Sequence, residues 1–212
     1  MRFIILRIQW ILIFVLAGTF LSGCIPTNPA IATRFYVLTP VDSTTPPVRQ
    51  PDPNRPLSVE IATLHLPQYL EKPQIVTRSG INQLELAEYH QWGGNLRKNM
   101  IRVMARNLSH LLATPEISMA PFRPLAPPDF TIEMEVMQYE ADAQGQVRLS
   151  AQWRIFQGTG KKNMTTRMTD LTRQATGLDF EHTVLAMSSL LGELSRIISQ
   201  EILILVPVHQ KN

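Results

Sequence analysis

Two helical stripes and several strand-like alternations divide this chain before any single residue is considered. Arg34, Phe35, Tyr36, Val37 and Leu38 are rich in aromatic and β-branched types and predict a short strand. Leu57, Val59 and Ile61 alternate with polar neighbours and predict a second. Ser79, Gly80, Ile81 and Asn82 lie between residues 73–78 and 83–86, the pattern of a hairpin. Gly93 and Gly94 break that pattern, and Asn95 offers a helix N-cap. Leu96, Met100, Val103, Met104, Leu108, Leu111 and Leu112 then follow at helical spacing. Phe130, Ile132, Met134 and Val136 alternate with polar residues, as do Val147, Leu149, Ala151, Trp153 and Ile155, around a turn at 142–145. A third strand of this meander is expected at 164–171. Asp179 is a candidate N-cap for the longest amphipathic stripe, which runs through Val184, Met187, Leu190, Leu191, Leu194, Ile197, Ile198 and Ile202 until Pro207. This order predicts an α+β fold, a mainly antiparallel sheet with two amphipathic helices packed on one face.

The N-terminus follows another pattern. Arg2 and Arg7 precede an uncharged hydrophobic run at 8–20, too short to span a bilayer and ending in small residues. Leu21, Ser22, Gly23 and Cys24 close it, and Cys24 is the only cysteine. A small-residue cleavage site followed directly by Cys reads as a bacterial lipobox, against the alternative of an uncleaved anchor with an incidental cysteine. The expected division is therefore a lipoprotein signal peptide at 1–23, an acylated Cys24 with a tether at 24–33, and a single α+β domain at 34–208. One acyl chain holds a protein to a membrane only marginally, whereas the three chains expected on Cys24 anchor it stably. Ile25, and not Asp, follows Cys24. In Gram-negative lipoproteins, which this segment resembles, that implies the periplasmic face of the outer membrane.

Composition narrows the field of functions. Removing residues 1–23 leaves 189 of the 212 residues, enough for one sizeable core. It also leaves 18 basic against 17 acidic side chains, so charge gives no argument for nucleic acid. Acylation consumes the one thiol, which excludes a disulfide within the chain. Prolines cluster at 40–56 and 115–128 and predict two stiffened connections. Lys98, Arg102 and Arg106 form a basic stripe along the first helix, either a solvated face or a contact for anionic lipid or an acidic partner.

Catalytic signals are poor, and no enzyme activity or cofactor is expected. No G-x-S-x-G elbow is present. Gly158, Thr159, Gly160, Lys161 and Lys162 would need a further glycine at 155 for a phosphate loop, and Ile155 stands there. The five histidines are scattered without zinc-ligand spacing, so no metal site is expected. Glu133 and Glu135 share a strand face, where pairing with Arg154 is the simpler role. The connection at 65–73, carrying Tyr69 and Leu70 between prolines, and the segment at 86–94, carrying Trp92, suit a protein contact. Packing over the end of the sheet is the competing reading of these three residues.

Tyr69 and Leu70, the block Lys72-Pro73-Gln74-Ile75-Val76-Thr77-Arg78, Trp92-Gly93 before a helix, the early strand at 34–38 and the lipobox at Cys24 together resemble the PqiC/YmbA family. These are auxiliary lipoproteins of ABC-type transport systems. The resemblance implies an outer-membrane lipoprotein that docks an MCE-type intermembrane transport system carrying phospholipid or another hydrophobic cargo. The implied partner is an MCE-domain protein of an inner-membrane transporter. Membrane attachment runs through Cys24, and homo-oligomerisation is left open. The alternatives are an assembly or stabilising factor for another envelope complex and, less favoured, a periplasmic hydrolase.

Overall fold

Alternating apolar residues become strands where they can line one face of a shared core, and a computed structural model shows which do. It describes residues 31–50, 56–119, 126–159 and 162–206. The signal peptide, Cys24, most of the tether, Pro207 and His209 lie outside the described residues.

The first strand, β1 (Arg34–Tyr36), is followed by β2 (Val59–His65) and a 3-10 turn (Gln68–Glu71). The hairpin expected beside residues 79–82 is β3 (Gln74–Gly80) and β4 (Gln83–Trp92). Helix α1 (Leu96–Leu111) starts at Asn95, whose side chain accepts the Lys98 amide at 2.9 Å. A short strand, β5 (Ile117–Met119), lies inside the second proline-rich connection. The meander follows as β6 (Phe130–Asp142), β7 (Gln146–Gln157) and β8 (Lys162–Gln174). Helix α2 (Phe180–Leu205) is capped by Asp179 on the His182 amide at 2.9 Å.

The eight strands form one mixed sheet in the order β1-β4-β3-β6-β2-β5, with β7 on the other edge of β6 and β8 beyond it. The long ladders β3–β4, β6–β7 and β7–β8 are antiparallel. Shorter parallel pairings join β1 to β4 and β2 to both β5 and β6. Both helices cover one face, α1 over β2 and β5 and α2 over the meander. Leu191 and Trp153 are buried there, as the apolar stripes require.

The segment after β1 crosses both helices. Its amides at Leu38, Thr39 and Val41 donate to Asn99 Oδ1 (2.7 Å), Ser188 Oγ (3.1 Å) and Asn107 Oδ1 (2.8 Å). Gly192 of α2 allows the close approach, since a Cβ there would lie 2.6 Å from Val41 Cγ1.

Candidate functional site

Strand β6 is longer than either strand on its β2 side, and this creates the most chemically distinctive place in the protein. β2 pairs with Phe130–Glu135, whereas β3, running the same way, joins only at Ala141 and Asp142. Residues 136–140 of β6 therefore face a fork without a strand partner on that edge. A register shift between Val136 and Gln138 also exchanges the two faces. Before the bulge Ile132, Met134 and Val136 point to the helices, and after it Tyr139 and Ala141 do. Glu140 is thereby aimed at the opposite face, into the fork.

Side chains replace the missing ladder there. Glu140 Oε1 accepts from Arg78 Nε at 3.0 Å and Nη2 at 2.7 Å. Oε2 accepts from the Tyr69 hydroxyl at 2.9 Å and from the Tyr139 amide at 3.0 Å. Arg78 Nη1 also reaches the Ile81 carbonyl at 2.9 Å. The Glu140 side chain is fully buried, so each donor answers a desolvation cost that an unpaired carboxylate would bear. Burial first, and then the charge of Glu140, push the Tyr69 hydroxyl above its ordinary pKa. The hydrogen bonds to Glu140 hold the Arg78 guanidinium above its own. A cleft of about 430 Å³ opens beside the pair, reaching Gln138 and Arg148.

The residues singled out for partner contact are divided by this geometry. Leu70 is 2% exposed and Trp92 is 5% exposed, so both are core residues. The reading that they project as apolar anchors is corrected. Leu70 turns inward because the 3-10 turn closes from its amide to the Pro67 carbonyl (2.9 Å). Trp92 ends β4, its amide bound to the Pro73 carbonyl at 2.8 Å, and is not in a loop. Tyr69 is half-buried with its hydroxyl engaged on Glu140, while Gln68, Glu71, Lys72 and Pro73 around it are exposed.

The remaining candidates lie elsewhere. Lys98, Arg102 and Arg106 are exposed along α1. Arg97 on the same helix approaches Glu71 of the 3-10 turn at 3.7 Å. Glu133 stands opposite Arg154 in the β6–β7 register, and Arg154 donates to Gln152 at 3.4 Å. His90 accepts or donates at the Tyr36 hydroxyl and stacks on Phe180, and His182 sits on Asp179. Among the described residues no group of three or more His, Cys, Asp or Glu could hold a metal ion, and no helix is long and apolar enough to cross a membrane.

The family model of the ABC-type transport auxiliary lipoprotein component matches residues 36–199. The chain belongs to this family. The match runs from the last residue of β1 into α2 and so includes the fork, Arg78 and Glu140. As an auxiliary component of transport, an ABC-type transport auxiliary lipoprotein points to a supporting role and not to a catalytic one. Two crystal structures share the fold. One, of an uncharacterized protein, is 19% identical with a TM-score of 0.63, covering 81% of this chain and 99% of its own. The other, from Xanthomonas campestris, is 14% identical with a TM-score of 0.61, covering 82% and 93%. No curated protein matches the sequence.

Arg78 belongs to a block the sequence already marks, but its partner Glu140 does not. Glu140 lies beyond the bulge, where the alternation of β6 changes phase. A carboxylate following Tyr139 in a strand otherwise rich in apolar positions is the only local trace of it.

Proposed function

We propose that this protein is an outer-membrane-anchored periplasmic lipoprotein that docks an MCE-type intermembrane lipid transport system. The observation that carries the reading is the family match across residues 36–199. The lipobox supports attachment through Cys24, and Ile25 after it supports the outer membrane. The domain then hangs in the periplasm on a short tether, facing the far end of an MCE-domain protein rooted in the inner membrane. Its task is attachment, with nucleotide chemistry left to the transporter.

The docking surface is proposed on the connection between β2 and β3. Gln68, Glu71, Lys72 and the outer side of Tyr69 are presented there, while Leu70, Trp92 and the Arg78–Glu140 pair hold the connection rigid. A preformed loop of this kind loses little freedom on binding. Capture of the tagged full-length lipoprotein from detergent-solubilised envelopes tests the function. Recovery of an MCE-domain protein is expected. Recovery of a different envelope assembly without any MCE protein would favour the stabilising-factor reading instead.

A further inference from the structure

The exposed apolar side chains of the domain are mostly isolated. Ile81 stands at the tip of the β3–β4 turn, and Leu178 precedes α2. Single residues of this kind need no explanation. Phe35 and Val37 differ. They are two positions apart on one extended segment, 66% and 55% exposed, and they alternate with the buried Tyr36 and Leu38. Extended backbone sends such residues to one face, so the pair forms a continuous apolar surface on the outside of the sheet. β1 is also the terminal strand of the sheet order, paired on one edge only.

Position along the chain indicates what this surface meets. β1 is the first element among the described residues, and Phe35 follows Cys24 by 11 residues. Even fully stretched, that length reaches only about 36–40 Å, roughly the diameter of a domain of this size. Among the described residues no other strand or helix lies so close in sequence to Cys24. We propose that Phe35 and Val37 contact the lipid surface itself, seating the β1 edge in the headgroup region. The inference rests on acylation of Cys24. An aromatic and a branched aliphatic side chain suit this boundary. The consequence is orientation: with β1 on the membrane, the domain no longer rotates freely about its tether.

The test uses the full-length lipoprotein, made in a host with the lipoprotein machinery and reconstituted in phosphatidylethanolamine–phosphatidylglycerol vesicles. Phe35→Cys, Val37→Cys and, as control, Met168→Cys on the exposed face of β8 are labelled with an environment-sensitive fluorophore. Acylation leaves the introduced cysteine as the sole thiol. The expected result is a blue shift and strong quenching by nitroxide-bearing lipids at 35 and 37, with neither at 168. The Val37→Cys variant retains Phe35, so its reading stands if Phe35→Cys folds poorly. Signals at 35 and 37 as aqueous as that at 168, on protein whose intact mass carries the acyl chains, would overturn the inference and leave the anchor standing. Labelling of the parent chain at Cys24 would remove both.

Discussion

Replacing Arg78 with methionine removes both donors from Glu140 Oε1 and leaves the carboxylate buried with only the Tyr69 hydroxyl and the Tyr139 amide on Oε2. Removing one partner of a buried ion pair costs about 3–5 kcal/mol, because the other charge remains desolvated. The Arg78 side chain is 28% exposed, so water can enter its place. The expected loss therefore lies at the lower end, about 3 kcal/mol. For a domain of this size each kcal/mol moves the melting temperature by about 2–4 °C, giving a drop of roughly 6–12 °C by circular dichroism. One further signature separates this cause from simple loss of packing. Adding Glu140→Leu should restore much of the stability, because an apolar pair of similar volume needs no counter-charge. A loss below about 1 kcal/mol, or a double variant no more stable than Arg78→Met, would refute the reasoning.

Leu191→Ala opens a cavity between α2 and the meander and should cost about 2–5 kcal/mol in chemical denaturation, whereas Ser189→Ala, on the exposed side of α2, should be silent. Equal midpoints for the two variants would mean the buried helix face is misplaced. The folded state holds the Tyr69 hydroxyl above its unfolded value of about 10. The stability this contributes is fully present below about pH 10 and is lost as the pH rises toward the higher folded value. Tyr69→Phe should therefore flatten the alkaline fall in stability, and an unchanged slope would contradict the geometry at Glu140. Cys24→Ala should remove acylation and leave the precursor uncleaved by intact mass, while the parent carries its acyl chains on a chain that begins at Cys24.

The elements legible in the sequence are those with an uninterrupted period. Both helices, their caps at Asn95 and Asp179, and the β6–β7 hairpin follow from local pattern and residue chemistry alone. What escapes is non-local. β4 continues to Trp92, although residues 86–92 lack a clean alternation, because the end of β4 is paired by β1 from far back in the chain. β5 forms among prolines because β2 supplies a parallel partner. The site was half visible for the same reason. Tyr69 and Leu70 stand out as apolar residues between prolines and Trp92 as one before a Gly-Gly break, but a residue that plugs a core and one that anchors a partner carry the same local signal. Only the long-range packing of the sheet, which buries Leu70 and Trp92, decides between them. Glu140 required both the bulge at Met137 and a parallel pairing, neither of which periodicity reveals.

The central claim, docking of an MCE protein through the β2–β3 connection, is tested most directly by photo-crosslinking in living cells. A benzophenone amino acid is placed at Gln68 on the 3-10 turn, at Arg102 on the basic stripe of α1, and at Thr172 on the exposed face of β8, all in the full-length lipoprotein. The account predicts an adduct between Gln68 and an MCE-domain protein, with little from Thr172. An MCE adduct from Arg102 alone would move the docking face to α1, and adducts from Gln68 only to an unrelated envelope protein would contradict the proposed function.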